Sequence, residues 1–250
     1  MNRPLIIAHR GASAYAPENT LSAIKKAIEM NSDGIELDVQ LSKDGHVVII
    51  HDSTVNRTSN GNGKVKNLTL KQLKDLDYGS WFSKEFKNES ICTLEEVFCY
   101  LKDYKGLINV EIKKEWLQFN SIEKKVADLI AKYDLRDRTI VSSFSTLSLL
   151  KIKRIDKNIQ TGILYSSSTK RLILFAEFFK MDAIHPWYQN VTKDVKKIAV
   201  KDNLKINTYT VDEPKEIKKL ADLGVDGIIT NVPDIALKEL NRAHDDLYSG

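Results

Sequence analysis

The segment Gly34-Ile-Glu-Leu-Asp-Val-Gln-Leu41, followed by Ser42-Lys-Asp-Gly45, distinguishes between the folds that this sequence could adopt. Apolar and polar residues alternate along Gly34–Leu41, which is the two-residue period of a β-strand. The segment Ser42–Gly45 is far too short for a crossover to a parallel strand, and Asp44-Gly45 is a hairpin turn signal. We therefore predict that His46–His51 runs antiparallel beside Gly34–Leu41.

Short β-branched runs alternate with longer helical stretches, a pattern typical of a parallel sheet covered by helices. The strand candidates are Leu5–His9, Gly34–Leu41, His46–His51, Leu107–Lys113, Thr139–Ser143, Thr161–Tyr165, Asp182–His185, Lys205–Val211 and Asp226–Thr230. The helical candidates are Thr20–Met30, Leu94–Asp103, Ser121–Tyr133, Ser145–Arg154, Lys170–Phe179, Thr192–Asp202 and Pro214–Leu223. These are nine strand candidates, one more than an eight-stranded barrel needs. Without the antiparallel strand His46–His51, eight strands remain that can be parallel. We predict an α/β fold, a (β/α)8 TIM barrel with a hairpin and a small insertion after the second barrel strand.

The length of 250 residues is also near that of a single barrel of this kind. The segment 52–91 is polar, contains Asn60-Gly-Asn-Gly63, and is too long for an ordinary connection. We predict that it forms an insertion over one mouth of the barrel, with a short helix near Leu70–Leu76. No linker divides the chain, so residues 1–250 are expected to form a single domain.

Composition and charge exclude several other classes of protein. The net charge of +4 comes from 38 basic and 34 acidic residues spread along the chain, without the basic block expected of a nucleic-acid-binding arm. The two cysteines, Cys92 and Cys99, imply neither a disulfide framework nor a cysteine zinc site. No stretch is long enough to span a membrane, and the apolar run before His9 is too short for a signal peptide. We expect a cytoplasmic protein without nucleic-acid partners or stable membrane association, and a homodimer is left open.

Carboxylates occupy the polar faces of two predicted strands. Glu36 and Asp38 share a face of Gly34–Leu41 that points to the barrel axis, because the apolar face suits the surrounding helices. Asn109-Val-Glu-Ile-Lys113 repeats this pattern and adds Glu111. Buried carboxylates repel one another unless a cation compensates them, and an all-oxygen set favours Mg²⁺ or Ca²⁺ over zinc. The alternative is that these acids pair with inward basic side chains as structural layers.

Two histidines are expected near this cluster. A two-residue turn in Ser42–Gly45 places His51 opposite either Glu36 or Asp38, depending on the register. His9 ends the first strand, and catalytic groups in such barrels lie at the C-terminal ends of the strands. Two histidines that converge on one carboxylate cluster by independent arguments favour a catalytic role.

These residue types suit the hydrolysis of a phosphodiester. A metal ion can polarise a phosphoryl oxygen, while Arg10 and Lys113 offset phosphate charge. One histidine can take a proton from the nucleophile and the other can give one to the leaving alkoxide. Our hypothesis is that His9 is the base and His51 the acid, although the sequence does not fix this order.

Several segments resemble those of a known family in both order and spacing. They are His9-Arg-Gly11 with Pro17-Glu-Asn-Thr20, Glu36-Leu-Asp38 with Lys43-Asp-Gly45, Val48 and His51-Asp52, Arg57-Thr58 with Gly61 and Gly63, Thr93-Leu-Glu-Glu96, Glu111-Ile-Lys113, and Gly224-Val-Asp-Gly-Ile-Ile-Thr230 with Pro233. A lone His-Arg-Gly would be weak, but this ordered set covers nearly the whole chain. The sequence resembles the glycerophosphodiester phosphodiesterases.

The resemblance implies a barrel, a divalent cation held by the three carboxylates, and a catalytic pair formed by His9 and His51. It also implies hydrolysis of deacylated phospholipids, such as glycerophosphocholine or glycerophosphoethanolamine, to glycerol 3-phosphate and an alcohol. Arg10 would contact the phosphate, with Glu18 and Lys113 supporting the site or contacting substrate. In relatives the 2-hydroxyl of the substrate is a plausible attacking group, which would give a cyclic intermediate.

Two positions depart from the family pattern. Tyr209 stands where the family often has Trp, and Asn231 follows Thr230 where the family often has Asp. Neither position is expected to touch the metal or the acid–base groups. Tyr209 keeps an aromatic face, so the departure concerns the choice of alcohol, and Phe144 is a second candidate for the pocket lining.

Three other functions remain as alternatives. A lysophospholipase D-like enzyme of the same superfamily, acting on lysophospholipids or sphingomyelin, would need an apolar groove, for which Tyr78–Phe86 is the candidate stretch. A metal-dependent sugar or carbonyl barrel enzyme would not need the pair of histidines. A catalytically inactive binding barrel would lack a ligand or a histidine, and here all five positions are filled.

Overall fold

The computed structural model describes residues 3–113, 122–166 and 170–241. Its strands are β1 (Leu5–Ala8), β2 (Gly34–Leu41), β3 (Val47–Ile49), β4 (Leu107–Ile112), β5 (Thr139–Ser143), β6 (Gln160–Tyr165), β7 (Ala183–Pro186), β8 (Lys205–Thr208) and β9 (Gly227–Thr230). Its helices are α1 (Leu21–Glu29), α2 (Leu70–Lys74), α3 (Leu94–Tyr100), α4 (Ile122–Lys132), α5 (Thr146–Ile155), α6 (Lys170–Phe178), α7 (Lys193–Lys201), α8 (Pro214–Leu223) and α9 (Pro233–Glu239). Short 3₁₀ helices cover Val65–Asn67, Lys84–Phe86, Arg136–Arg138 and Tyr188–Asn190.

The strands form a closed parallel barrel with one antiparallel strand outside it. β1 pairs in parallel with both β2 and β9, and the other parallel strands follow between them in chain order. β3 pairs antiparallel with the end of β2, where β1 no longer contacts it. The predicted α/β fold, a (β/α)8 TIM barrel with a hairpin, is therefore confirmed.

The hairpin turn differs from the prediction by one residue. Val39 pairs with Ile49, and this register leaves Lys43–Gly45 as a three-residue turn. Gly45 has φ of 82°, the left-handed conformation that closes such a turn and that glycine adopts without strain. The expectation that a two-residue turn places His51 directly opposite Glu36 or Asp38 was wrong, because the three-residue turn shifts the register and brings His51 level with Leu37, between the two.

The helices agree with the predictions except near the C-terminus of the chain, where one further helix is present. Thr20 caps α1 through its hydroxyl, and Thr93 with Glu96 forms a capping box at α3. Ser121, the first residue of one predicted helix, lies outside the described residues. Helix α9 was not predicted, although Pro233 in its first turn is a helix-start signal. Among the helices described, none is both long and apolar enough to cross a membrane.

The core fixes the orientation of β2, whose residues are all buried. Ile35, Leu37 and Val39 pack among apolar residues of the helical layer. Burying a side chain of this kind contributes about 1.5–3 kcal/mol. A one-residue slip of β2 would expose this apolar set to the barrel axis and would push Glu36 and Asp38 into the helical layer. The packing of the outer face thus holds the carboxylates inside the barrel.

The segment 52–91 forms the insertion expected at this position in the chain. It contains α2, the short helix that the sequence predicted, and a small apolar cluster that includes Val55, Val65 and Leu73. Inside the barrel, the Gln40 side chain lies 2.9 Å from the carbonyl oxygen of His51 and thereby holds the chain where it leaves β3. That residues 1–250 form a single domain stays a prediction.

Candidate active site

Three carboxylates converge inside the barrel, as the strand pattern predicted. β2 and β4 are neighbours, and their register places Asp38 beside Glu111. Glu36, Asp38 and Glu111 each offer an oxygen atom within 4.8 Å of the others. Asp38 and Glu111 lie toward the C-terminal ends of the paired segments of β2 and β4, and Glu36 lies level with the end of β1. Catalytic groups of parallel barrels are found at this end of the barrel.

Two cationic side chains lie against this cluster and offset part of its charge. Arg10 Nε is 3.3 Å from Asp38 Oδ2. Lys113 Nζ is 3.3 Å from Asp38 Oδ1 and 2.7 Å from Glu111 Oε1. Among the described residues, Glu36 accepts one hydrogen bond, from the backbone N–H of Arg10 at 2.8 Å, and its buried Oε1 has no hydrogen-bond partner there. The sequence left open the alternative that these acids pair with inward basic side chains. Such pairing is present for Asp38 and Glu111, but it does not extend to Glu36 among the described residues.

Burial and mutual repulsion raise the pKa values of two of these carboxyl groups. Burial, then the charges of Asp38 and Glu111, raise the pKa of Glu36 well above its usual range. Burial and the charge of Asp38 raise the pKa of Glu111 to about 7. Burial opposes ionisation of Asp38 too, but Lys113 and Arg10 outweigh it and lower the pKa of that group. The cluster thus carries more negative charge than its surroundings stabilise.

These features fit a hard divalent cation. Every donor in the cluster is a carboxylate oxygen, and the buried Glu36 Oε1 is free to coordinate. A cation would remove the repulsion that raises the pKa of Glu36 and Glu111. The residues present could therefore hold such an ion between Glu36, Asp38 and Glu111.

His9 lies at the end of β1, beside the carboxylates, as predicted. Its Nε2 is 4.0 Å from Glu36 Oε2 and its Nδ1 is 2.7 Å from Asn231 Oδ1. Burial and the charge of Arg10 lower the pKa of His9 to about 4, so the ring is neutral near pH 7. The expectation that Asn231 does not touch an acid–base group was wrong, because the end of β9 lies beside the end of β1.

His51 reaches the same mouth from the loop that follows β3. Its Nδ1 is 2.7 Å from Asp52 Oδ1. Arg57 Nε donates to Asp52 Oδ2 at 2.8 Å, and this bond lowers the pKa of Asp52 far below its usual range. His51 is about one-third exposed, so a bound substrate can reach it from solvent.

Glu18 connects Arg10 with the insertion. Its carboxylate accepts hydrogen bonds from Arg10 at 2.8 Å and from Arg57 at 2.7 Å. Burial opposes ionisation of Glu18, but Arg57 and Arg10 outweigh it and lower its pKa. Glu18, which the sequence placed among substrate-contacting residues, contacts these two arginines in the structure and holds Arg10 beside Asp38.

Four further residues of the site were not among those predicted. Asn19 donates to Asp38 Oδ2 at 2.9 Å and accepts from the Asp38 backbone N–H at 3.2 Å, with φ of 61°, which asparagine tolerates better than most residues. The others are Asp52, Arg57 and Asn231. All four lie within or beside the motif segments. The contacts of Asn19 and Asn231, and that of Arg57 with Glu18, join residues far apart in the chain, whereas Asp52 contacts His51 and Arg57 locally.

An aromatic surface faces the charged half of the mouth from the strands on the other side of the barrel. Phe144 follows β5, and its ring packs edge-on against Tyr209 with centroids 6.2 Å apart. Tyr209 donates a hydrogen bond to the Tyr165 carbonyl at 3.2 Å, and burial followed by the charge of Glu111 raises its pKa. Trp187 forms a backbone bridge with Tyr209 and was not predicted as a site residue.

A parallel barrel with carboxylates, two histidines and two cationic side chains at one mouth defines an enzyme suited to cleaving phosphodiesters. Residues 9–235 match the model of the glycerophosphoryl diester phosphodiesterase family. The chain belongs to this family, and it is accordingly a phosphoric diester hydrolase.

Individual relatives agree with this assignment. A glycerophosphodiester phosphodiesterase of Caldanaerobacter subterraneus subsp. tengcongensis is 41% identical over 240 residues, which cover 96% of this chain and 99% of the relative. The corresponding enzyme of Bacillus altitudinis is 37% identical, with coverage of 93% and 96%. A phosphodiesterase of Oleispira antarctica, solved with the product sn-glycerol-3-phosphate, has 27% identity and a TM-score of 0.85, with coverage of 96% and 97%.

Proposed function

We propose that this site hydrolyses deacylated phospholipids, such as glycerophosphocholine and glycerophosphoethanolamine, to glycerol 3-phosphate and an alcohol, with a divalent cation and a histidine pair. The observation that carries the proposal is the convergence of three buried carboxylates with His9, 4.0 Å from Glu36, and with His51, whose neighbour Ile50 donates its backbone N–H to the Asp38 carbonyl. The product bound to the Oleispira antarctica relative supports glycerol 3-phosphate as the common product.

Glu36, Asp38 and Glu111 would hold the cation, which we propose to be Mg²⁺ or Ca²⁺. When bound, the ion supplies Lewis-acid polarisation of a phosphoryl oxygen. Arg10 and Lys113 are the side chains placed to offset the remaining phosphate charge, since both already lie against Asp38. An Arg or Lys contact to phosphate of this kind is charge-assisted and stronger than a neutral hydrogen bond.

The surroundings of the two histidines suit different roles. His9 is neutral near pH 7, and its Nδ1 bond to Asn231 leaves Nε2 to accept a proton from the attacking hydroxyl. His51 has the Asp52 carboxylate at Nδ1, whose negative charge compensates a positive imidazolium. We therefore assign His9 as the general base and His51 as the acid that protonates the leaving alkoxide.

The aromatic surface at Phe144 and Tyr209 would contact the part of the substrate that carries little charge or a quaternary ammonium group. Aromatic faces bind such cations as well as apolar carbon atoms. The rival lysolipid substrate would use the stretch Tyr78–Phe86, in which Tyr78 is buried and Trp81 and Phe86 each lie 5.7 Å from Phe82. Trp81 stays partly exposed, so activity on a lysolipid compared with glycerophosphocholine distinguishes the two substrates.

The proposal can be tested by coupling glycerol 3-phosphate release to a dehydrogenase. Glycerophosphocholine is supplied with Mg²⁺ or Ca²⁺, and then with chelator. We expect His51→Ala to lower kcat by about 10²–10⁴-fold. His46→Ala is the matched control, because His46 is exposed just before β3, at the opposite end of that strand from His51, and should retain wild-type activity. No release from any glycerophosphodiester by metal-loaded wild type would contradict the substrate assignment, and a lysolipid arm would then identify the rival.

Several other properties stay proposals of the same kind. They are a cytoplasmic location, the absence of nucleic-acid partners and of stable membrane binding, and a homodimer as the assembly left open. The choice between a cyclic intermediate and direct attack by water belongs with them. Release of a cyclic phosphate before glycerol 3-phosphate would distinguish the two routes.

A further inference from the structure

Asn231 follows β9 directly and contacts the imidazole of His9. Its Oδ1 is 2.7 Å from His9 Nδ1 and 2.7 Å from the Ser13 hydroxyl. Its Nδ2 donates to Asp212 Oδ2 at 2.6 Å. Asp212, Asn231 and His9 therefore form one hydrogen-bonded chain of side chains, which ends at the residue assigned as the general base.

The contacts of Asn231 determine which way its amide group points. A carboxylate only accepts hydrogen bonds, so Asp212 requires the NH₂ group on its side and leaves Oδ1 for His9 and Ser13. Asp212 is itself held in place, because its Oδ1 accepts hydrogen bonds from the Asn231 backbone N–H at 2.8 Å and the Thr230 hydroxyl at 3.0 Å. The amide orientation is thus fixed from two sides.

This orientation determines the tautomer of His9. Asn231 Oδ1 cannot donate a hydrogen bond, so His9 Nδ1 must carry the proton. The neutral ring then has its lone pair on Nε2, which lies on the side of the carboxylate cluster, 4.0 Å from Glu36 Oε2. A base acting at this cluster needs both that tautomer and that ring orientation.

We propose that Asn231, oriented by Asp212, is the positioning residue that fixes the tautomer and the ring orientation of His9. The proposal rests on the assignment of His9 as general base. The proposal also explains why residue 231 is Asn, although an Asp carboxylate there could equally accept the hydrogen bond from His9. Asp212 already presents a carboxylate to residue 231, and a second carboxylate there would repel it.

The test uses Asn231→Ala, which removes the acceptor, and the exchange Asn231→Asp with Asp212→Asn, which reverses the order of amide and carboxylate. Ser13→Ala is the matched control, because it removes the other hydrogen bond to Asn231 Oδ1 and leaves the His9 bond in place. Each variant is assayed with glycerophosphocholine and saturating Mg²⁺ or Ca²⁺, so that kcat and KM are obtained separately. Ring ¹⁵N spectra of histidine-labelled protein, assigned by comparison with His9→Ala, report the tautomer.

We expect Asn231→Ala to lower kcat by about 10²-fold or more, with KM within about threefold, since orientation of a base affects mainly the chemical step. The wild-type spectrum should show His9 protonated at Nδ1, and this signature should be lost in Asn231→Ala. The exchanged double variant should recover to within about tenfold of wild-type kcat. Ser13→Ala should stay close to wild type.

Two results would overturn the proposal and leave the proposed function intact. One is an inactive His9→Ala together with Asn231→Ala that keeps its kcat. The other is a wild-type spectrum with the His9 proton on Nε2. Full activity of His9→Ala would instead remove the assignment of His9 as base, and the proposal with it. A thermal melt of each variant separates loss of folding from loss of positioning, and the exchanged double variant tests the chain even where Asn231→Ala unfolds.

Discussion

Glu111 combines two properties that rarely occur together in a folded protein, burial and contact with other carboxylates. Its neighbour Asp38 holds its charge through Lys113 and Arg10, so the repulsion falls on Glu111 and Glu36. Without a bound cation, the positive charges of Arg10 and Lys113 do not fully balance the three carboxylates of the described site. At the scale of single residues, we therefore expect the carboxylate cluster to lower the stability of the metal-free fold, and a bound cation would relieve that repulsion.

The pH dependence of the free energy of unfolding of Glu111→Gln tests this expectation. The pKa of Glu111 is about 7 in the fold and about 4.5 when unfolded. Because the folded pKa is raised, the contribution of Glu111 to stability is fully present below about pH 4.5 and is lost as pH rises through 7. Relative to wild type, metal-free Glu111→Gln should gain on the order of 3 kcal/mol between pH 4.5 and 8. Urea denaturation of both proteins across this range measures the difference.

The comparison between the two proteins matters because buried His9 and His185 have lowered pKa values and change stability in the opposite direction. Those contributions cancel in the difference. Glu95→Gln is the control, since Glu95 is half exposed on α3 and pairs with Lys132 on the surface. A constant difference between wild type and Glu111→Gln from pH 4.5 to 8 would contradict the account.

The insertion follows His51 directly and anchors the loop that carries it. Its Arg57 binds Asp52 on one side and Glu18 on the other, and so joins the loop after β3 to the loop after β1. Arg57 is nearly half exposed, and such pairs contribute about 0–1 kcal/mol to stability. Its main effect is therefore expected on the placement of Asp52 and Glu18 rather than on folding.

We expect Arg57→Ala to lower kcat by about tenfold while the free energy of unfolding changes by less than about 1 kcal/mol. Lys74→Ala is a matched control in the same insertion, because Lys74 pairs with Glu96 at the start of α3. Steady-state kinetics with glycerophosphocholine, combined with urea denaturation, provides both quantities. Equal loss of kcat in Lys74→Ala would show that the insertion acts only through its stability.

Which elements could be predicted depended on whether their positions follow from local pattern. β2 and its carboxylates were predictable, because alternation fixes the face of every residue once the barrel is recognised. The hairpin register was not, since a two-residue turn and the three-residue turn at Lys43–Gly45 differ by one position. Contacts such as His9 with Asn231 join residues from the two ends of the chain, and the sequence carries no spacing signal for them.

At the scale of the whole molecule, barrel closure assembles the site. β1 pairs with both β2 and β9, and this closure places His9 between Glu36 on one side and Asn231 on the other. The charged half of the mouth comes from the early strands and the aromatic half, with Phe144 and Tyr209, from the later ones. Under the proposed function, the phosphate would bind at the charged part of the mouth and the alcohol at the aromatic part.

We propose that the carboxylate cluster binds a cation that hydrolysis requires. The measurement that tests it most directly is the rate of glycerol 3-phosphate release from glycerophosphocholine as a function of free Mg²⁺ or Ca²⁺, for metal-stripped wild type and Asp38→Asn. We predict a rate near zero without metal, saturable recovery in the wild type, and a loss of about 10²-fold or more in Asp38→Asn that added metal does not restore. Full activity of the wild type in excess chelator, or of Asp38→Asn with metal, would contradict it.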